Sequence, residues 1–288
     1  MTDILKLEKV EKRLGDFKLG PLDLKLKRGS ILGFIGENGA GKSTSIKLIL
    51  RDLKKDKGEI YIFGKKIEDL SEEDRKKIGF VFDDLFIPQE MNIEEASKFH
   101  SMLYGRHWKK EIFDKLIKRF SLPMDKKISS FSRGMKMKLS LSLALGHDPD
   151  LLLLDEATSG LDPVARDDIL DILFEFIQNE NKSIMISSHI LSDLEKIADE
   201  IAFIHKGKLL FIENKDRLKE VYGLVSVSDE EYESLDENAV VSVREHKFGK
   251  FCLVKKDMVP ESLDVENASI EDIMVYITKE KYNESPYI

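Results

Sequence analysis

Gly36-Glu37-Asn38-Gly39-Ala40-Gly41-Lys42-Ser43-Thr44 is a complete phosphate-binding loop, set between a short apolar run, Ser30–Ile35, and a stretch with helical spacing from Ser43 to Leu50. Strand, glycine-rich turn and helix in that order is the context in which such a loop cradles phosphate. The glycines let backbone N–H groups curl around phosphate oxygens without side-chain clash. The helix that follows points the positive end of its dipole at the same anion. Lys42 is placed to reach the β- and γ-phosphates, and the Ser43 hydroxyl to ligate Mg²⁺. A glycine-rich turn matching by chance is the competing reading, and the Lys42-Ser43 pair with its flanks weighs against it. Residues 36–44 therefore predict a nucleoside triphosphate site in an α/β fold.

Working outward, the chain has 288 residues, 42% hydrophobic and 35% charged, which suits a globular protein with one large domain and a small one. A formal net charge of −8 argues against a broad nucleic-acid footprint. Basic clusters such as Lys54-Lys55-Asp56-Lys57 and Lys25-Leu26-Lys27-Arg28 have acids interleaved or nearby and read as solvated edges. No apolar run approaches the roughly 18–20 residues that cross a bilayer. The first residues lack the apolar core of a signal peptide. The single cysteine, Cys252, forms no internal disulfide, fits a reducing compartment and reads as a small buried hydrophobe.

The alternation of Ile4, Leu5 and Leu7, then Leu22, Leu24 and Leu26, predicts antiparallel strands ahead of the loop strand. Further strands are expected at Glu59–Phe63 and Ile78–Phe82, the latter followed at once by Asp83 and Asp84. Residues from about 84 to 150 carry helical spacing, for example Ile112, Leu116, Ile117 and Phe120, and read as a helical insertion. Leu151–Leu154 is too short for a helix and reads as a buried parallel strand. Asp162-Pro163 opens a helix with an N-cap acid and a proline in the first turn, and Ser183–Ser187 is the next buried strand. Ile201–Ile204 and Leu209–Ile212 form a hairpin across Lys206-Gly207. From residue 214 to 288 the texture shifts to a weaker β pattern closed by a helix that opens with Ser269-Ile270-Glu271-Asp272, a small α+β accessory domain.

The apolar strand Leu151–Leu154 ends in Asp155 and Glu156. Asp155 at the strand tip suits Mg²⁺ beside the loop carrying Ser43, and Glu156 one residue on suits a carboxylate that orients or deprotonates an attacking water. Three segments complete an ordered set: Phe131-Ser132-Arg133-Gly134-Met135, Ser159-Gly160-Leu161-Asp162, and Ser187-Ser188-His189. With these the chain resembles the ATP-binding-cassette (ABC) ATPases over residues 1–213.

The resemblance implies a mixed sheet with an antiparallel β subdomain and a helical subdomain. It implies that Gly36, Asn38, Gly39, Ala40, Gly41, Lys42, Ser43 and Thr44 hold ATP, with Mg²⁺ on Ser43, Asp155 and Asp83. Two copies would close head to tail over two ATP molecules, with Ser132 and Gly134 of one signature on the γ-phosphate held by the other copy. Asp162 would align the facing site, and His189 would sense the γ-phosphate and hold Glu156 and water. The catalytic set implied is Glu156, His189 and Lys42. A separate membrane permease, received around Phe86–Tyr104, would keep the subunit on the inner face of the membrane.

The chain departs from the family pattern at five positions. Phe131, Arg133 and Met135 replace the first, third and fifth signature residues, in the style of subunits serving drug, peptide or polymer exporters. Asp83 stands where the family has glutamine, and Leu14 where it has an aromatic under adenine, with Phe17 as the alternative. The other histidines, His100, His107, His147, His205 and His246, have no ligand spacing. The competing function is a non-transport ABC ATPase of translation or DNA repair, which this single cassette without heptads or a basic linker fits less well.

Overall fold

The computed structural model describes residues 3–283 except Asp84, Lys247 and Phe248, and it gives no side-chain description for His246 or from residue 279 onward. The chain divides into two units, Met1–Ile212 and Glu213–Ile288. Among the described residues no helix is long and apolar enough to cross a membrane.

The first unit opens with β1 (Asp3–Leu14) and β2 (Phe17–Lys27), followed by β3 (Ile31–Ile35), α1 (Lys42–Ile49), β4 (Lys57–Ile62) and the two-residue β5 (Lys65–Lys66). β1 pairs antiparallel with β2 and with β4, so that Leu5 faces Leu26 and Ile62, and Leu7 faces Leu24 and Ile60. All six side chains are buried, which gives this sheet its apolar face. After α2 (Glu72–Arg75) and β6 (Ile78–Val81) comes the helical segment: α3 (Ile93–Tyr104), α4 (Lys110–Arg119) and α5 (Arg133–Leu145). In α4 the buried residues are Phe113, Leu116 and Ile117, the one-sided stripe that the sequence spacing implies.

The chain returns through β7 (Leu151–Asp155), α6 (Pro163–Ile177), β8 (Ser183–Ser188), α7 (Leu191–Ile197), β9 (Glu200–His205) and β10 (Lys208–Asn214). Six strands form one sheet in the order β10-β9-β3-β8-β7-β6. The inner pairings are parallel, and β3, β7 and β8 are buried along their whole length. Their near-continuous Ile, Leu and Met content follows from burial on both faces. Register brings Ile35 beside Ser188 and Asp155 beside Ser187, so three strands end level at one edge. Crevices at the carboxyl ends of parallel strands are where such sheets bind ligands.

The second unit contains α8 (Lys215–Val221), β11 (Tyr222–Val227), α9 (Asp229–Ser234), β12 (Val240–His246), β13 (Gly249–Lys255), β14 (Glu266–Asn267) and α10 (Ile270–Asn283). The strands form an antiparallel sheet, β12-β13-β11-β14. Val225, Cys252 and Val243 line up across three strands in one apolar row. Burial pushes the Cys252 thiol up to about 11. Ser269 caps α10 reciprocally with Asp272, as its sequence signature implies. The short helix α9 interrupts the β pattern that the sequence predicts here, and Ser228 and Glu231 form a capping box at its start.

Candidate active site

Each functional side chain hangs from a strand end or a helix start. The phosphate loop runs from the end of β3 into α1, and Gly41 at φ +116° is the N-cap of that helix. A side chain there would be strained by the left-handed backbone and would meet Leu19 at 2.6 Å. α1 has no side-chain cap and no acid in its first turn, so its first N–H groups stay open to an anion. Asn38, Gly39 and Ser43 are exposed, Thr44 is half-buried, and Gly36 and Ala40 are buried.

Lys42 turns inward and is only 5% exposed. Its ammonium donates to the Gly36 carbonyl at 2.6 Å and the Glu37 carbonyl at 3.2 Å, and lies 3.1 Å from Glu156 Oε1. That last contact is off the hydrogen-bonding direction, so Oε1 is buried with an ion-pair partner but no hydrogen bond. His189 Nδ1 lies 2.5 Å from the other oxygen, Oε2. The Glu156 carboxylate is thus held between a cation from the phosphate loop and an imidazole from the residue after β8.

The backbone of Glu156 is left-handed, with φ +55°, an uncommon state for a residue with a side chain. Its N–H is anchored by Ser187, through the backbone oxygen and the hydroxyl, both at 3.1 Å. The Ser187 hydroxyl in turn donates to Asp155 Oδ1 at 2.6 Å. Ser187 therefore supports both acids at once, a role the sequence reading missed. The available signal was a serine ending an otherwise apolar strand.

Mg²⁺ fits the donor set. Asp155 is a buried carboxylate with one oxygen engaged, and Ser43 is an exposed hydroxyl in the first turn of α1. Among the described residues no cluster of three or more His, Cys, Asp or Glu would hold a metal alone. One carboxylate and one hydroxyl beside triphosphate oxygens is how Mg²⁺ is ordinarily held. Asp83 is exposed beyond β6 and lines a cavity of about 260 Å³ with Arg133, Lys136 and Met137.

The other predicted residues form a second group. Ser132 is the N-cap of α5 and accepts from Met135 N–H at 3.2 Å. Asp162 is the N-cap of α6, accepting from Val164 and Ala165 N–H at 3.1 and 3.0 Å. The Ala165 bond, first among several, holds its carboxyl below the usual range. A side chain at Gly134 would meet nothing closer than 3.6 Å, so this chain's own packing does not demand glycine there. Among the described residues no hydrogen bond or ion pair joins Ser132, Gly134 or Asp162 to the Lys42–Glu156–His189 cluster. Near the loop, Phe17 is half-buried with its ring tip 3.3 Å from the Cβ position of Gly41, while Leu14 is 41% exposed.

The family profile described as ABC transporter matches residues 19–159. The bacitracin transport ATP-binding protein BcrA of Bacillus licheniformis is 35% identical over 213 residues, 73% of this chain and 69% of that protein. The chain belongs to the ABC transporter ATP-binding proteins. The lantibiotic transport ATP-binding protein SrtF of Streptococcus pyogenes is 33% identical over 215 residues, covering 74% of this chain and 92% of that one. A solved ATP-binding subunit of an ABC transporter superposes with a TM-score of 0.68 at 26% identity, over 75% of this chain and 92% of the other. This ABC subunit binds and hydrolyses ATP, and its fold is the α/β P-loop cassette that the phosphate loop implies.

Among the remaining histidines of the ABC subunit, His107 pairs with Glu73 at 2.8 Å, and His205 is buried 3.7 Å from Glu37. His100 and His147 each stack on Tyr104, with ring centres 5.8 and 3.9 Å away, and burial pulls both down to about 4. The His246 side chain and Asp84 lie outside the described residues.

Proposed function

We propose that the chain is the ATPase of a two-polypeptide transporter, acting as a head-to-tail pair on a separate membrane permease at the inner face of the membrane, in the export direction. The observation that carries the ATPase part is the Glu156 carboxylate held between Lys42 at 3.1 Å and His189 at 2.5 Å. ATP phosphates enter the loop from Gly36 to Thr44, and Lys42 leaves Glu156 for the β- and γ-phosphate oxygens. Glu156 then accepts a proton from the water that attacks the γ-phosphorus. The bond from that phosphorus to the ADP oxygen breaks, giving ADP and phosphate. His189, donating through Nδ1, keeps the carboxylate aimed at the water.

Ser43, Asp155 and, beside the cavity after β6, Asp83 would hold Mg²⁺, which supplies charge neutralisation for the triphosphate. Ser132, Gly134 and Asp162 serve the ATP of the second copy. What supports this is an α5 start with no acid in its first turn and a glycine that local packing does not require. A glycine in a helix costs about 1 kcal/mol relative to alanine, so close approach of another molecule is a reason to keep it. For the permease, support comes from an apolar cavity of about 170 Å³ lined by Phe82, Phe86, Leu103 and Tyr104, with Phe86 75% and Met102 70% exposed beside it. The export direction rests on the signature style of Phe131, Arg133 and Met135, and a cargo of the bacitracin or lantibiotic kind on the names of those two transport relatives.

The test is Glu156→Gln. It should retain ATP binding, lose turnover by about a hundredfold or more, and accumulate as an ATP-bound dimer. Hydrolysis at the parental rate would remove Glu156 from its role. Purification of the tagged chain from gently solubilised membranes should bring down a polytopic membrane protein. Ribosomes or DNA-bound proteins in its place would move the chain to the non-transport class.

A further inference from the structure

Arg133, the third signature residue, is explained neither by phosphate chemistry nor by helix capping. It opens α5 immediately after Ser132. Its neighbour Lys138 is neutralised by Asp168 at 2.6 Å, whereas Arg133 has no carboxylate partner among the described residues. The guanidinium instead lies against the backbone of Gly160. A Cβ placed on that glycine would sit 2.9 Å from Arg133 Nη1 and 3.0 Å from Cζ. Gly160 also has φ +66°, so both its backbone and its neighbour exclude a side chain.

The loop carrying Gly160 hangs directly from Glu156. Ser159 N–H donates to the Glu156 carbonyl at 3.0 Å, and the loop ends at Asp162, the cap of α6. Glu156 holds its left-handed backbone only as long as its surroundings enforce it. Arg133 is therefore next to Ser132 along the chain and next to the Glu156 loop in space. The three atoms nearest a Cβ placed on Gly160 all belong to the Arg133 guanidinium.

We infer that Arg133 is a positioning residue that couples the two half-sites of one copy, tying the start of α5 to the loop that sets Glu156. This rests on the head-to-tail reading above, in which Ser132 serves the ATP of the partner copy while Glu156 serves its own. When the α5 start closes on the partner's ATP, the flat guanidinium carries Gly160 with it, and the Glu156 backbone follows. Turnover in one site then depends on engagement of the signature with the other. The contact needs a planar fork lying on a peptide, which a lysine ammonium cannot reproduce.

Steady-state ATPase of the full chain tests this with Arg133→Ala, Arg133→Lys and Gly160→Ala. Misplacement of a catalytic group by a fraction of an ångström lowers kcat, so Arg133→Ala should fall about three- to tenfold in kcat with KM changed less than about twofold. Arg133→Lys should fail to restore it, and Gly160→Ala should show the same kcat loss. The melting temperature of Arg133→Ala should stay at the parental value, since the side chain is exposed. Unchanged kcat in Arg133→Ala overturns the inference. A rise in KM that Arg133→Lys rescues also overturns it, because that pattern belongs to a direct phosphate contact. Hydrolysis by Glu156→Gln would sink the site reading itself, whereas a dead Glu156→Gln beside a normal Arg133→Ala sinks only the coupling.

Discussion

The Lys42–Glu156–His189 cluster and the Ser132–Gly134 turn, two parts of one chemistry in the function proposed above, are built in opposite ways. The first is closed on itself: Lys42 is 5% exposed, the Glu156 carboxylate is gripped from two sides, and Ser187 braces both acids from beneath. The second is turned outward, with Ser132 exposed and Gly134 half-buried with only ordinary van der Waals neighbours, the nearest 3.6 Å from its Cβ position. Groups that must be set to within fractions of an ångström grow from the level ends of buried parallel strands. Groups proposed to meet another molecule sit on a helix start, where N–H donors are free without any burial.

The contrast breaks most easily at Lys42. Lys42→Ala removes the cation from the enclosed part and leaves Glu156 buried without its counter-charge, so kcat/KM should drop about a thousandfold. Nucleotide binding followed by equilibrium titration should weaken with it, and near-parental binding would mean that the loop backbone alone holds the triphosphate. Gly134→Asp probes the outward part. The chain has room for the side chain, so folding and ATP binding should be unchanged while a carboxylate now faces the anion site. Turnover should fall about a hundredfold. A lowered melting temperature would show instead that Gly134 is needed for packing.

Ser187→Ala sharpens the comparison from below. It leaves Asp155 Oδ1 buried without its 2.6 Å donor, which should cost about 1–3 kcal/mol in urea unfolding and slow turnover. The smallest effect concerns the scaffold behind the turn. His147 is buried beyond the end of α5, where it stacks on Tyr104 with ring centres 3.9 Å apart. Burial pulls it down to about 4 from the roughly 6.5 of a free imidazole, so the fold prefers the neutral ring. Its contribution is whole above pH 6.5 and drains away as pH falls toward 4. Between pH 7 and 5 stability should decline on the order of 1–2 kcal/mol from this residue, and His147→Phe should flatten that slope. An identical slope in the variant would remove His147 as the cause.

What could be read from the chain beforehand divides along the same line. The phosphate loop is local chemistry: glycines, a lysine and a serine within nine residues, with strand and helix signals on either side. The α6 start at Asp162-Pro163 and the apolar row of α4 are equally local. The Asp155–Ser187 bond is not, because it exists only once β7 and β8 pair in parallel with these two residues in register. Arg133 on Gly160 likewise needs α5 and the loop before α6 brought together by the fold. The choice between Leu14 and Phe17 turns on geometry that no alignment of that stretch supplies. Phe17, three residues on, is the aromatic that reaches the Gly41 turn. The missed helix α9 had its sign in Ser228 and Glu231, but six residues give periodicity too little length to register.

Cys252 has a practical consequence. The lone thiol is fully buried and its ionisation is pushed up to about 11, so at neutral pH it offers alkylating dyes almost no thiolate. The natural protein thus behaves toward maleimides as a blank. A single cysteine introduced on the exposed face of α6, for instance at Phe174, would take up label alone, and spectroscopic distances between two such labels would report association of the copies without first stripping the parent sequence.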